Sequence, residues 1–190
     1  MAGSSAALPS YVSSPTGGKG MSLFLPQGPG FARIRIGQPV LVDYAGSYNG
    51  YLADETRIFC LGSPSPEMEQ AHQAALQIEK IVARKLVPGK LCRDIWNLGE
   101  EESERLGYRE HLGGPAGRKA GFLGHGLGLE IDEYPVIGPP DQEIKENMVI
   151  AVEPKMIYPA EGVVGIEDTY PVRERSPERL TRLPREIWRV

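Results

Sequence analysis

Cysteine and histidine are scarce in this 190-residue chain, with two of the first and three of the second. Cys60 and Cys92 stand apart and outside any Cys-x-x-Cys pair, which excludes a disulfide framework or thiolate zinc site and fits a reducing cytoplasm. No apolar run approaches the roughly 18 residues that a membrane-spanning helix needs. The opening Met1–Ser10 stretch has neither the basic nor the apolar region of a secretory signal. Neither sign of charge dominates. Twenty-one basic against 25 acidic side chains leave a formal net charge of −4, too little to argue for nucleic acid or a membrane as partner. What remains is ordinary for a globular domain: 41% hydrophobic and 24% charged residues, enough to bury a core. The 23 glycines and 17 prolines promise tight turns rather than a helix bundle.

The chain divides at about residue 33. Residues 1–33 are rich in Gly, Ser and Pro and read as loop with at most one short strand, while 34–190 carry periodic structure. Pro39–Ala45 and Tyr51–Cys60 are β-branched and apolar, and Asn49-Gly50 between them is a strong type I′ hairpin signal. Ser65-Pro66 opens a helix as N-cap and first helical residue; Met68, Ala71, Ala75, Ile78, Val82 and Leu86 form its apolar stripe, and Pro88-Gly89 ends it. His72 is expected on the polar side of that helix. A second helix is expected from Leu91 to Leu106, stopped by Gly107, and two further strands at 148–157 and 163–172. Strand pairs flanking a helical pair indicate an α+β fold. The last residues, Arg173–Val190, read as a solvated tail packed through Leu180, Leu183 and Trp188.

The acids repay attention. An Asn49-Gly50 turn puts Asp43 opposite Thr56, and Asp54 lies two residues from Thr56 on the same strand face. Asp43 and Asp54 are then diagonal neighbours, about 7–8 Å apart at the backbone. A turn at 159–162 likewise brings Glu153, in Ala151-Val-Glu-Pro154, nearly opposite Glu167, in Gly165-Ile-Glu-Asp168. Each acid taken alone reads better as a surface residue. Paired carboxylates repel unless a cation lies between them, and a divalent metal is the usual answer. His125 sits in Gly124-His-Gly-Leu-Gly128, where glycines let backbone approach a site. No nucleotide loop is present, because Gly113–Lys119 lacks the Gly-Lys-Ser/Thr ending of a P-loop.

Taken in order, Val42-Asp-Tyr44, Gly50-Tyr-Leu-Ala-Asp-Glu-Thr-Arg57, Gly124-His-Gly-Leu-Gly128, Val152-Glu-Pro154 and Gly165-Ile-Glu-Asp-Thr169 resemble the pita-bread metallopeptidases: methionine aminopeptidase, Xaa-Pro aminopeptidase and prolidase. Gly50-Tyr51 and Asp54-x-Thr-Arg57 are closest to the prolidase and Xaa-Pro branch. The resemblance implies a pita-bread fold, a curved antiparallel sheet with helices on its outer face, making 34–190 the catalytic domain. It implies two divalent ions, whether Mn²⁺, Co²⁺, Fe²⁺ or Zn²⁺. Asp43 would bind one ion through both oxygens, Asp54 and Glu167 would bridge, and His125 and Glu153 would complete the other. The implied activity is hydrolysis near the N-terminus of a peptide substrate through a metal-bridged hydroxide, with Glu153 accepting the proton and passing it to the leaving nitrogen.

The sequence departs from that pattern in several places. The family's upstream histidine is missing, since His72, His111 and His125 are the only histidines. Its second active-site histidine is replaced by Asp132, a candidate catalytic residue that cannot donate to an oxyanion unless protonated. An arginine common just before the last glutamate is absent, with Gly165-Ile166 in its place. The opening helices and strand of the fold are expected to be missing, making this an N-terminally truncated version. The bared sheet face would then need a cover from a homodimer or a separate chain. These departures keep open an alternative, a non-catalytic binding or scaffold protein that retains the fold and metal site.

Overall fold

A computed structural model describes residues 1–10, 14–115, 117–175 and 178–190. The remaining residues, which fall within the expected N-terminal loop, the glycine-rich stretch at 113–119 and the C-terminal tail, lie outside the described residues. Strands β1 (Pro39–Tyr48) and β2 (Tyr51–Cys60) form the expected hairpin, with Asp43 opposite Thr56 and Tyr48 opposite Tyr51. Asn49 and Gly50 both have positive φ, 51° and 85°, as a type I′ turn demands. Helix α1 (Pro66–Ala83) starts as expected: the Ser65 hydroxyl accepts from the Met68 amide. It stops about a turn before Pro88-Gly89, yet Leu86 is still buried. Helix α2 (Cys92–Arg105) follows, and Gly107 has the positive φ of a helix stop.

Two short strands then precede the acid-bearing hairpin: β3 (Gly124–Gly126) and β4 (Glu133–Ile137). The hairpin itself is interrupted. The expected strands at 148–157 and 163–172 are each two pieces, β5 (Val149–Val152) and β6 (Lys155–Tyr158), then β7 (Gly162–Gly165) and β8 (Asp168–Pro171). Pro154 has no N–H to donate, and the backbone of Glu167 turns away to exchange hydrogen bonds with Thr56 at 3.2 and 3.4 Å. The register survives the break, because Val152 pairs with Asp168 and Lys155 with Gly165. Glu153 and Glu167 are therefore opposite one another. The sheets run β1-β2-β9, with β9 at Trp188–Arg189, β4-β3-β5-β8 and β6-β7. The Thr56–Glu167 bridge ties the first to the second.

Along β2 and β8 the two faces separate by period two. Thr56, Glu167 and Thr169 face the acid cluster, while Arg57, Asp168 and Tyr170 face the helices, with the Tyr170 hydroxyl donating to Glu79 of α1 at 2.9 Å. The core between helices and sheet is built from the α1 stripe together with Ile58, Ile150, Val152, Val163 and Val164. The outer part of β1 is bare, with Val42 and Tyr44 exposed. Residues at the N-terminus join the same body: Leu41 and Met1 exchange backbone hydrogen bonds, and Ala6 is in the core.

Two expectations need correction. His72 is buried, 1% exposed, and donates to the Arg185 carbonyl at 2.7 Å; the C-terminal segment covers the helix face assumed to meet water. That segment is not a solvated tail. Leu180 and Leu183 are exposed, whereas Ile187 is buried, Trp188 stacks on Phe59, and the Arg57 guanidinium holds the carbonyls of Leu183 and Pro184 at 3.0 and 2.9 Å.

Gly124 sets how closely β3 approaches β5, and hence where His125 lies. A Cβ there would fall 2.2 Å from the Ala151 carbonyl oxygen, a backbone atom of the neighbouring strand. Gly124→Ala is expected to lower stability in urea melts by about 1–3 kcal/mol. A loss below about 0.5 kcal/mol, the scale of an ordinary surface substitution, would show that the strand spacing has slack.

Candidate metal centre

Five side chains that the sequence singles out converge on one point, although their backbones come from three parts of the chain. Asp43 and Asp54 arrive on the first hairpin, His125 on β3, and Glu153 and Glu167 at the interruption of the second. Asp54, Glu153, Glu167 and His125 are buried, whereas the Asp43 side chain is 35% exposed at the rim. Asp54, His125 and Glu167 each offer a donor atom, and these atoms lie within 4.8 Å of one another. The His125 ring is set by its Nδ1, which donates to the Gly126 carbonyl at 3.0 Å. Its Nε2 therefore faces Glu153 Oε1 at 3.4 Å and Glu167 Oε1 at 3.8 Å and is the atom free to ligate. Asp132 lies on the other side of the ring, Oδ1 3.4 Å from Nδ1, with its side chain 56% exposed.

A cation that sequence reasoning overlooked lies within the cluster. The Lys155 ammonium is fully buried and donates to Glu167 Oε2 at 2.9 Å, Thr56 Oγ1 at 3.0 Å and Glu153 Oε2 at 3.2 Å, with Asp43 Oδ2 at 3.9 Å. A signal for it was available: Lys155 is two residues from Glu153, so a strand puts both on one face. The Thr56 hydroxyl donates to the same Glu167 Oε2 at 2.7 Å. Behind the cluster, Arg57 fixes the Glu167 backbone by donating to its carbonyl at 2.9 Å and to the Asp168 carboxylate at 2.7 Å.

The electrostatics follow from burial and crowding. Burial, with Glu167 and Asp43 nearby, pushes Asp54 up to about 7. Burial and Glu167 push Glu153 up to about 8, against the pull of Lys155. Burial also raises Glu167, but Lys155, His125 and Thr56 outweigh it and bring that carboxyl down to about 2. For His125, burial works downward, and Glu167 and Glu153 overcome it, pushing the imidazole up to about 9. Burial depresses Lys155 too, yet Glu167, Glu153 and Asp43 keep it above the ordinary lysine value. An open cavity of about 250 Å³ adjoins the cluster, lined by Phe122, His125, Asp132, Glu133, Tyr134 and Val136.

The family model for metallopeptidase family M24 matches residues 1–174. The chain belongs to metallopeptidase family M24. It is 34% identical over 156 residues to a Xaa-Pro dipeptidase from Pyrococcus furiosus, an alignment covering 82% of this chain and 43% of that one. Among solved structures it superimposes on an X-Pro aminopeptidase from Thermotoga maritima with a TM-score of 0.83 at 27% identity, over 100% of this chain and 48% of that one. A prolidase from Pyrococcus furiosus gives 0.78 at 30% identity, over 97% and 48%. The chain thus spans less than half the length of these relatives, and its fold is the pita-bread fold. An M24 chain is expected to hold divalent metal, and the buried Asp54–His125–Glu167 group, with Glu153 Oε1 beside it, has the chemistry to do so: an imidazole and carboxylate oxygens suit Mn²⁺, Fe²⁺, Co²⁺ or Zn²⁺. Among the described residues, no helix is long and apolar enough to cross a membrane.

Without metal, the raised values of Asp54, Glu153 and His125 share one sign. A group whose folded pKa exceeds its unfolded value stabilises the fold below the unfolded value and loses that contribution as pH rises through the folded one. Chelator-treated protein is expected to melt progressively lower from pH 5 to pH 9, because the three groups deprotonate near 7, 8 and 9. Added Mn²⁺ should restore the melting temperature most at the alkaline end, since its ligands must be deprotonated. A chelated protein with a flat pH profile would refute this account of the cluster.

Proposed function

We propose that the chain forms the metal-binding part of a peptidase that cleaves Xaa-Pro peptides near their N-terminus. The observation that carries this reading is the convergence of Asp43, Asp54, His125, Glu153 and Glu167 beside an open cavity in an M24 chain. The similarity to an Xaa-Pro dipeptidase supports the substrate class. A divalent ion held at Asp54, His125 and Glu167 would supply Lewis acidity toward a substrate carbonyl and a nucleophile at neutral pH.

The remaining work falls to side chains of the protein. Glu153, whose Oε1 lies beside the group that would hold the ion, 3.4 Å from His125 Nε2, is placed to take a proton and return it to the leaving nitrogen once a bound cation keeps its carboxyl ionised. His125 keeps Nε2 toward the acids because Gly126 and Asp132 lie on the Nδ1 side. Asp132, at the cavity wall, favours a cationic group such as the free amine of a peptide and disfavours an anion. The small, partly apolar cavity suits a short ligand, being below the usual pocket range of about 300–1,000 Å³. In the same reading the exposed Val42 and Tyr44 face takes a cover from a second copy or a separate chain, and a cytoplasmic setting fits two buried, unpaired cysteines.

One observation favours the second reading, a non-catalytic binding protein. Asp132 stands at the position where the resemblance calls for a histidine, and among the described residues His125 is the one histidine that lines the cavity. Assays of Xaa-Pro dipeptides and longer peptides with added Mn²⁺ or Co²⁺ separate the two. Turnover is expected, with Glu153→Gln lowering kcat by about 10²–10⁴-fold. Asp132→His is expected to shift preference away from substrates with a free cationic group. Absence of turnover by the metal-loaded protein would leave the binding reading in its place.

A further inference from the structure

We propose that the Lys155 ammonium occupies the place a second divalent ion would need, so that this chain binds one ion, on the His125 side of the cluster. The inference rests on the metallopeptidase reading above and concerns the number of ions that the site can hold.

Each of the two buried glutamates has one oxygen directed to each side. Glu153 Oε1 and Glu167 Oε1 face His125 Nε2. Glu153 Oε2 and Glu167 Oε2 accept from Lys155, and Glu167 Oε2 also accepts from the Thr56 hydroxyl. A carboxylate that bridges two ions must give one oxygen to each. The oxygen that Glu167 would give to the second ion already has two donors, at 2.7 and 2.9 Å. Asp43, expected to hold that second ion through both oxygens, has Lys155 as its nearest cation instead, at 3.9 Å. A second divalent ion placed among Glu153 Oε2, Glu167 Oε2 and Asp43 Oδ2 would lie against the Lys155 ammonium, and the two cations would repel at contact distance.

Nor is the ammonium free to withdraw. Lys155 is 1% exposed, and it is anchored on β6 directly opposite Gly165 of β7. A Cβ at position 165 would lie 3.0 Å from Lys155 Cδ and 2.5 Å from the Pro154 carbonyl oxygen. The bare backbone of Gly165 is what leaves room for the lysine stem. Lysine at 155 and glycine at 165 are thus one arrangement. The charge balance agrees. Four carboxylates need not be met by two divalent ions when one buried ammonium is already among them.

The experiment counts ions. Full-length protein, stripped with chelator and dialysed, is titrated with Mn²⁺ by calorimetry, its bound metal is measured by elemental analysis, and electron paramagnetic resonance distinguishes isolated from coupled Mn²⁺. The expected result is one equivalent per chain with the signal of an isolated ion. Lys155→Met should then admit a second equivalent and give a coupled signal. If that variant does not fold, the parent count decides alone. Two equivalents in the parent overturn the inference while leaving the peptidase reading intact. A Lys155→Met variant that folds and still binds one ion overturns it as well. No bound metal at all overturns both the inference and the metal-dependent reading.

Discussion

The mutual repulsion of four carboxylates brought to one partly buried point is the constraint around which this chain is arranged. Asp54, Glu153 and Glu167 are shielded from water, and Asp43 completes the group at its edge. Such a cluster is costly unless cations or protons meet it. The protein supplies one cation of its own, Lys155, and a histidine whose free nitrogen faces the acids. The opposed shifts within the cluster express the same constraint. Glu167, next to both Lys155 and Thr56, stays ionised, while Glu153 and Asp54 hold their protons to near-neutral pH.

Bringing the acids together requires the backbone to break its own ladder at the right place. Between β5 and β6, and between β7 and β8, the hairpin loses its internal pairing for a step. Glu153 gives its amide to the Leu123 carbonyl of the segment leading into β3, and Glu167 exchanges with Thr56 of β2. This stitching of three strand systems at the acid positions gives each carboxylate a rigid anchor. Arg57 then secures the junction from the helix side, bonding the Thr56 and Glu167 carbonyls, the Asp168 carboxylate and the C-terminal carbonyls together. An Arg57 fork matches this many acceptors in a way that a lysine could not.

The shared fold of M24 relatives therefore positions a metal-binding group in a chain that spans less than half their length. The charges that border the acids come from two places. Asp132 stands at the cavity wall, and Lys155, seated opposite Gly165, puts a positive charge inside the cluster itself. Both act on which charges the site accepts.

Much of this was legible in the sequence because its signals are local. The Asn49-Gly50 turn set the register of β1 against β2, hence Asp43 opposite Thr56. Ser65-Pro66 marked the start of α1, and the turn at 159–162 placed Glu153 opposite Glu167. Period-two alternation then assigned each acid to a face. The burial of His72 and the docking of the C-terminal segment were not legible, because they depend on Arg57 and Arg185 reaching partners more than a hundred residues away in sequence. Lys155 was half-legible: its face followed from its spacing to Glu153, but its meaning did not. The sequence by itself determined which residues could converge, since turns and strand periodicity act over a few neighbours. Only the tertiary structure decided which oxygen of each glutamate faces His125 and which faces Lys155, because that choice depends on contacts among strands that no local pattern encodes.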